Sequence, residues 1–532
     1  MALSLDYPQP HRGCDLVARL IERLKKILLS INLFSRLVIQ LPLRRYQIEP
    51  AQAVIASILR QQGLEFLWVF PRQSGKDEAI AQLCTFLLTL FQRVEAAIIH
   101  LYPTANQIAT GTGRLENRLD NLWTRGRWWT KSKPLRRGLG SAQIAFFSGH
   151  PQARAEGATA NLLLIINEAQ DQHEPTVERR FTPMRASTNA TALYVGTVRT
   201  TADYLWRTKE RLEQLQQADG QRRVFLVGAA EVGQENPAYR QFVAEQVAKR
   251  GREHPIIKTE YFNEPVDVAA GLFPRRRRQL MAGRHPRLAE PQAGQIYLAL
   301  IDVAGQDEAA TEAFAELDNP ARDSTCCTIV RAEPGSDIGP TYAAVDLLID
   351  QGSRHFQAGP GRASLFDQLL AYLRHWRVGA VVCDMSGVGQ GITDALIEAL
   401  TRPVFGFDFA KSYGKSRLGN DFLAIVETGR FKYFADQREV EGSDAWWFDI
   451  QAEHCGYELA EGIPIERGLR WGVSPAAKIS VNEVSEYIHD DRLLSAALVA
   501  EADRLIREGK LFLTTGQSAV IKQPQDTTDP WS

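Results

Sequence analysis

The sequence predicts two α/β units in series, the first of them built on a mainly parallel sheet. Three observations carry that expectation. Short apolar runs of strand length alternate with helical patterns on both sides of residue 271. A Pro-, Gly- and Arg-rich stretch, Gly271-Leu-Phe-Pro-Arg-Arg-Arg-Arg278, followed by Pro286, Pro291 and Gly294, separates the two series. At 532 residues the chain is also long enough for more than one domain of roughly 150 residues.

Composition narrows the class. With 44% apolar and 23% charged residues, the chain has an ordinary globular balance, which excludes a wholly disordered, collagen-like or membrane-embedded protein. Lys plus Arg number 62 and Asp plus Glu 63, a net charge of −1, so any nucleic-acid contact must come from local basic patches. The cysteines (Cys14, Cys84, Cys326, Cys327, Cys383, Cys455) form no CxxC pair, which argues against a disulfide framework or a zinc ribbon. Met1–Val17 lacks a signal-peptide pattern, and apolar runs such as Leu64–Phe70 and Leu162–Ile166 are far shorter than a bilayer span. A soluble, intracellular protein is expected.

Taken in order, residues 1–42 read as an N-terminal helical segment. Within it, Arg19–Leu41 shows apolar residues at helical spacing with basic residues between them, suited either to pack on the next domain or to dock a partner. Residues 43–270 form the first domain, with strands expected at Glu65–Phe70, Ala96–Tyr102, Gln143–Ser148, Leu162–Ile166 and Ala192–Val195, then a polar helical stretch at Thr201–Gly251. Residues 271–294 read as a linker. The second domain, 295–510, is expected to carry strands at Ile296–Val303, Cys326–Arg331, Tyr342–Ile349 and Ala380–Cys383, and 511–532 reads as a flexible tail.

Two groups of residues carry chemistry. In the first half, strand Leu64–Phe70 runs into Pro71-Arg-Gln-Ser-Gly-Lys-Asp77 and then a helical pattern, the context of a phosphate-binding loop: backbone N–H groups at the helix start cradle phosphates and Lys76 adds a point charge. The strict GxxxxGK[ST] pattern fails at Phe70 and Asp77. The apolar run Asn161–Ile166 ends in Asn167-Glu168-Ala169-Gln170. There Glu168 stands where an ATPase places a metal ligand or a water-activating base, unless it merely caps a helix. Thr197, at another strand end, is placed to sense a γ-phosphate, and Tyr46-Gln47, upstream of the loop, to meet an adenine or simply to start a surface helix.

In the second half, Asp302 and Asp384 end strands and Asp490-Asp491 starts a helix. Alone, each has an ordinary structural explanation as a strand end or an N-cap. Together they suit a ribonuclease-H-like nuclease, in which two divalent ions about 4 Å apart activate water and stabilise the leaving oxygen. Hard oxygen donors favour magnesium, with manganese possible, and Asp491 is the better candidate ligand than Asp490. The stretch Arg125–Arg137 holds six basic residues and Trp128-Trp129 without an acid, and Arg275–Arg278 is a second basic run; both are candidate DNA contacts.

These motifs resemble the large terminase subunit of tailed bacteriophages. Arg72-Gln73-Ser74-Gly75-Lys76-Asp77 fits that family's looser phosphate loop, Gly157-Ala158-Thr159 precedes a Walker B-like Asn167-Glu168-Ala169, and Val195-Gly196-Thr197 is similar to its coupling motif. Asp302, Asp323-Ser-Thr325, Asp384 and Asp490-Asp491 match its nuclease, Gly271–Pro274 its inter-domain junction, and Gly305–Arg322 reads as an insertion. The resemblance spans roughly residues 43–505 and implies an N-terminal P-loop ATPase followed by a ribonuclease-H-like nuclease. It also implies ATP-driven movement of double-stranded DNA into a procapsid, metal-dependent cutting of concatemeric DNA, and ATP and Mg2+ as ligands. Expected partners are the small terminase subunit and the portal protein, with a homo-oligomeric ring on the portal, in the host cytoplasm and away from membranes. Asn167 departs from the family's Asp, an exchange that Asp77 would balance by keeping one anionic and one neutral group. The rival readings are a helicase–nuclease of a repair or defence system and a degenerate prophage DNA-binding scaffold.

Overall fold

The computed structural model describes residues 12–152, 157–304, 324–351, 354–359, 361–387, 389–411, 413–460 and 463–513. The expected insertion Gly305–Arg322, Asp323 beside it, and the tail Thr514–Ser532 lie outside the described residues. The chain divides into two compact units, Met1–Val243 with Lys258–Val266, and Ala244–Ile257 with Asp267–Ser532. Among the described residues no helix is long and apolar enough to cross a membrane.

The first unit is an α/β layer structure. Its strands are β1 (Glu65–Val69), β2 (Ala96–Tyr102), β3 (Trp128–Ser132), β4 (Leu135–Leu139), β5 (Ala142–Ser148), β6 (Leu163–Asn167), β7 (Thr191–Gly196) and β8 (Val224–Leu226). They form one sheet in the order β3-β4-β5-β2-β6-β7-β1-β8. From β5 to β8 every neighbouring pair is parallel. Helices Lys76–Leu90, Ala105–Leu119 and Tyr204–Asp219 supply the crossovers. The continuous apolar run of β6 is buried at every position, as a strand covered on both faces must be.

Two segments of this unit are not simple runs. The basic, Trp-containing stretch forms an antiparallel β3–β4 hairpin on the sheet edge. β-favouring Trp128, Trp129 and Thr130 pair with β4, which itself pairs with β5. Nor is Arg19–Leu41 one helix. It breaks after Arg12–Leu28; Ser30 then caps Ile31–Phe34, a wider turn runs over Ser35–Ile39, and Gln40 closes it at φ +61°. The break splits the apolar face: Phe34 packs edge-on against Phe86 and Trp123, at ring-centre distances of 5.3 and 5.8 Å, whereas Leu20, Ile21 and Leu24 stay exposed.

The second unit is centred on β9 (Ile296–Asp302), β10 (Thr325–Ser336), β11 (Gly339–Asp350), β12 (Ala380–Asp384), β13 (Val404–Phe407) and β14 (Phe431–Tyr433). The order is β13-β12-β9-β10-β11-β14. β9, β10 and β11 are antiparallel neighbours, and β12 runs parallel to β9. Its core gathers Ala299, Ile301, Cys327, Ile329, Leu369, Trp376 and Val381. Residues 271–294, expected as a linker, belong to this unit: Leu272 and Phe273 are buried and Arg275–Met281 is a helix. The arginines there are committed within the fold, Arg276 and Arg277 to Glu427 at 2.7 Å each and Arg278 to Asp449 at 2.9 Å. Arg275 and Arg276 of the run remain exposed to solvent.

Candidate active sites

All three motifs of the first unit lie at the carboxyl edge of the parallel sheet, where open α/β sheets bind ligands. The register shows why: Val69 pairs with Gly196 and Asn167 with Val195, so β1, β7 and β6 end within one step of each other. After β1 the chain turns through Pro71–Ser74. Gly75, at φ +88°, then opens helix Lys76–Leu90. The left-handed angle favours glycine, and a Cβ there, 2.8 Å from Gln47 Nε2, would push that side chain off the loop. Lys76 is buried, and its Nζ donates to Glu168 Oε1 at 2.8 Å. Burial works against the ammonium's charge, but Glu168, Asp77 and Asp171 outweigh it and hold the group above its ordinary value.

Glu168 sits at φ +46°, a left-handed backbone uncommon for this residue type. Its carboxylate is fixed from two sides, because Gln170 Nε2 donates to Oε2 at 2.7 Å. Gln170 Oε1 in turn accepts the Thr197 backbone N–H at 3.1 Å. Arg199 pairs with Asp171 at 2.7 Å. Asp171 is pushed up to about 6 by burial, against the pull of Arg199. Gln170 and Asp171 thus tie the Glu168 turn to the end of β7. Gln170 stands within the motif as read from sequence, but no role was assigned to it there.

The remaining residues of this group fall in place around the loop. Ser74 is buried and its hydroxyl donates to Pro71 O at 2.6 Å; Gln73 is exposed at φ +60°. Arg72 forms an ion pair with Glu260 and leaves its guanidinium half exposed. Asp77 lies 3.4 Å from Arg114 and accepts Asn167 Nδ2 at 3.4 Å, so the two exchanged residues do face each other. Tyr46 and Gln47, expected to meet an adenine, hydrogen-bond to the loop itself. Tyr46 Oη donates to Ser74 O at 2.6 Å and Gln47 Nε2 to Gly75 O at 2.9 Å, while Gln47 Oε1 accepts the Arg44 N–H at 2.9 Å. They brace the loop from outside. In the β3–β4 hairpin, Trp128 and Trp129 donate to Asp120 and Gly140 O, and Arg137 pairs with Glu116, while Lys131 and Lys133 are exposed.

The second unit brings its acids together by three different devices. Asp302 ends β9 and Asp384 ends β12; Cys383 pairs with Ile301, so the two carboxylates leave adjacent parallel strands at the same level. Asp491 opens helix Asp491–Ala497, with Asp490 as its N-cap residue. That helix is clamped across the sheet by Ser495, whose Oγ donates to Leu300 O at 2.8 Å and accepts the Thr328 N–H at 3.2 Å. Asp491 Oδ2 also accepts the Ser324 N–H at 2.9 Å, just before β10 and beside the end of β9. Ser495 is a positioning residue that no local sequence signal revealed.

Electrostatics mark the cluster. Asp302 is pushed well above the usual carboxylate range, first by burial and then by Asp491, Asp384 and Asp490. Asp384 is also raised by burial, although the Ser386 N–H donates to it at 2.8 Å. Gly389 lets the next helix approach, since a Cβ there would meet Asp384 O at 2.4 Å. Among the described residues, no three His, Cys, Asp or Glu side chains close around a single metal-ion position. The acids are near enough to repel one another but are not drawn into one ligand shell.

No family model matches the chain, and no curated protein does. The chain is similar in structure to large terminases. One is the large terminase from the thermophilic bacteriophage D6E in complex with ADP, at 10% identity over 86% of this chain and 98% of that one, with a TM-score of 0.41. Another is the HK97 bacteriophage large terminase, at 11% identity over 87% and 96%, with a TM-score of 0.35. The large terminase nuclease from thermophilic phage G20c with bound magnesium matches 43% of this chain and 96% of its own, at 15% identity and a TM-score of 0.30.

Proposed function

We propose that this chain is a DNA-packaging enzyme of the large-terminase kind, an ATP-driven motor on double-stranded DNA joined to a metal-dependent endonuclease. The observation that carries the reading is the buried Lys76–Glu168 pair at the carboxyl edge of a parallel sheet, at the mouth of a glycine-opened loop. With ATP as substrate, the loop N–H groups and Lys76 take its phosphates and release Glu168, which then accepts a proton from the attacking water. Gln170 ties Glu168 to the Thr197 backbone, so a change at the phosphates reaches the end of β7. The exposed Lys131 and Lys133 suit a phosphate backbone without sequence preference.

In the second unit, Asp302, Asp384 and Asp491, with Asp490 flanking, offer the hard oxygen donors that magnesium or manganese prefers. Such ions supply an activated water and a stabilised leaving oxygen for phosphodiester hydrolysis. Assembly as a ring on a portal, with a small subunit, follows from the same reading. The test is made on the full chain: ATP hydrolysis stimulated by linear duplex DNA, and nicking of supercoiled plasmid in manganese. A chain that hydrolyses no ATP and leaves plasmid intact overturns the reading in favour of a DNA-binding scaffold.

The Asp77 and Asn167 pair yields a sharper expectation. Their contact at 3.4 Å supports an exchange of the anionic group from strand to loop. The double variant Asp77→Ser with Asn167→Asp is expected to keep phosphate release within about threefold of the parent, since one carboxylate and one neutral oxygen remain. Asn167→Asp alone puts two carboxylates face to face and is expected to lower it. An inactive double variant refutes the exchange.

A further inference from the structure

Four carboxylates converge at the β9–β12 edge, and Lys415 reaches toward them from another element. Lys415 lies in the first turn of helix Gly414–Glu427. Its carbonyl accepts the Trp471 indole N–H at 2.7 Å, and its ammonium stands 5.5 Å from the centre of that ring. From there Nζ comes within 3.9 Å of Asp490 Oδ2, which also accepts the Val473 N–H at 3.4 Å. Gly472 leaves space for this meeting: a Cβ there would lie 2.9 Å from Asp490 Oδ2 and 3.3 Å from Lys415 Nζ. The same positive charge opposes the push of the other three acids on Asp302. Arg492, the next residue after Asp491, is committed elsewhere, to Asp444 at 2.8 Å.

We infer that Lys415 is the built-in counter-cation of the nuclease carboxylates, holding their place for divalent ions and turning to the DNA phosphate when those ions arrive. The inference rests on the nuclease reading above. Its geometry is that of a group meant to let go. At 3.9 Å the contact is an ion pair without a tight hydrogen bond, and 38% of the side chain is exposed. Such a contact is weak and easily exchanged. The anchor is the backbone and the indole face, which leave the four-carbon stem free to swing. An ammonium offers three donors on a flexible stem and binds phosphate as a point charge. Arginine, with its rigid fork, would lock onto a carboxylate instead.

Competition for the same carboxylates gives the test a readout that does not depend on cutting. Mn2+ is titrated into the full chain without DNA or nucleotide and followed by water-proton relaxation. Lys415→Met keeps the stem and removes the charge, and is expected to bind Mn2+ at least about fivefold tighter, since even two unit charges near 4 Å in water interact by that much. Lys415→Arg, which keeps the charge and grips a carboxylate more firmly, is expected to bind Mn2+ no tighter than the parent. In plasmid cutting, Lys415→Met is expected to raise the KM for DNA more than it lowers kcat. Equal or weaker Mn2+ binding by a folded Lys415→Met overturns the inference while leaving the nuclease reading intact. A parent chain that binds no Mn2+ overturns the nuclease reading, and this inference with it.

Discussion

Lys76→Ala is expected to lower DNA-stimulated ATP hydrolysis by at least about a hundredfold, the usual loss when one pre-placed donor to a transferring phosphoryl group is removed. Lys76 Nζ is buried on the carboxyl edge, 2.8 Å from Glu168, so no solvent cation takes its place without reorganising the loop. Its removal acts twice: the phosphates lose their point charge and Glu168 loses the partner that positions it before substrate arrives. Lys76→Met, of similar length, separates these effects from a packing loss and is expected to be as inactive as the alanine variant. Phosphate release and thermal melting are read side by side. An unchanged rate in a folded Lys76→Met would show that the loop is not the hydrolytic site.

That result would test the part of the molecule that was most legible in advance. Strand β6 declared itself because a strand covered on both faces must be apolar without interruption, and the chemistry-bearing residues follow it directly. The same logic placed Asp302 and Asp384 at strand ends. Local spacing cannot show partners that the fold brings from afar. Gln170 meets the Thr197 backbone 27 residues on, and Ser495 reaches Leu300 across 195 residues. Tyr46 and Gln47 sat in the right region for the loop, yet their hydrogen-bonding groups are turned to its carbonyls, which only the folded geometry decides. The run Arg276–Arg278 has partners of the same distant kind. Charge in sequence says nothing of the acids opposite, and Glu427 and Asp449 neutralise most of Arg276–Arg278.

Asp302→Asn is expected to reduce plasmid cutting in manganese by about a hundredfold or more while leaving DNA-stimulated ATP hydrolysis intact. Even partners one shell away from a metal cost up to about a hundredfold when removed, and a direct carboxylate donor should cost no less. The expectation has a second half that a merely structural role would not produce. Burial and three neighbouring carboxylates raise the proton affinity of Asp302, which means that the ionised form is disfavoured in the folded chain. A neutral amide of the same shape removes that repulsion. In chelator, Asp302→Asn is therefore expected to melt at or above the parent temperature. In manganese the order reverses, because ions bound only by the folded parent stabilise it by mass action. A variant that loses cutting and also melts lower in chelator would assign Asp302 to the framework of β9 and not to the chemistry.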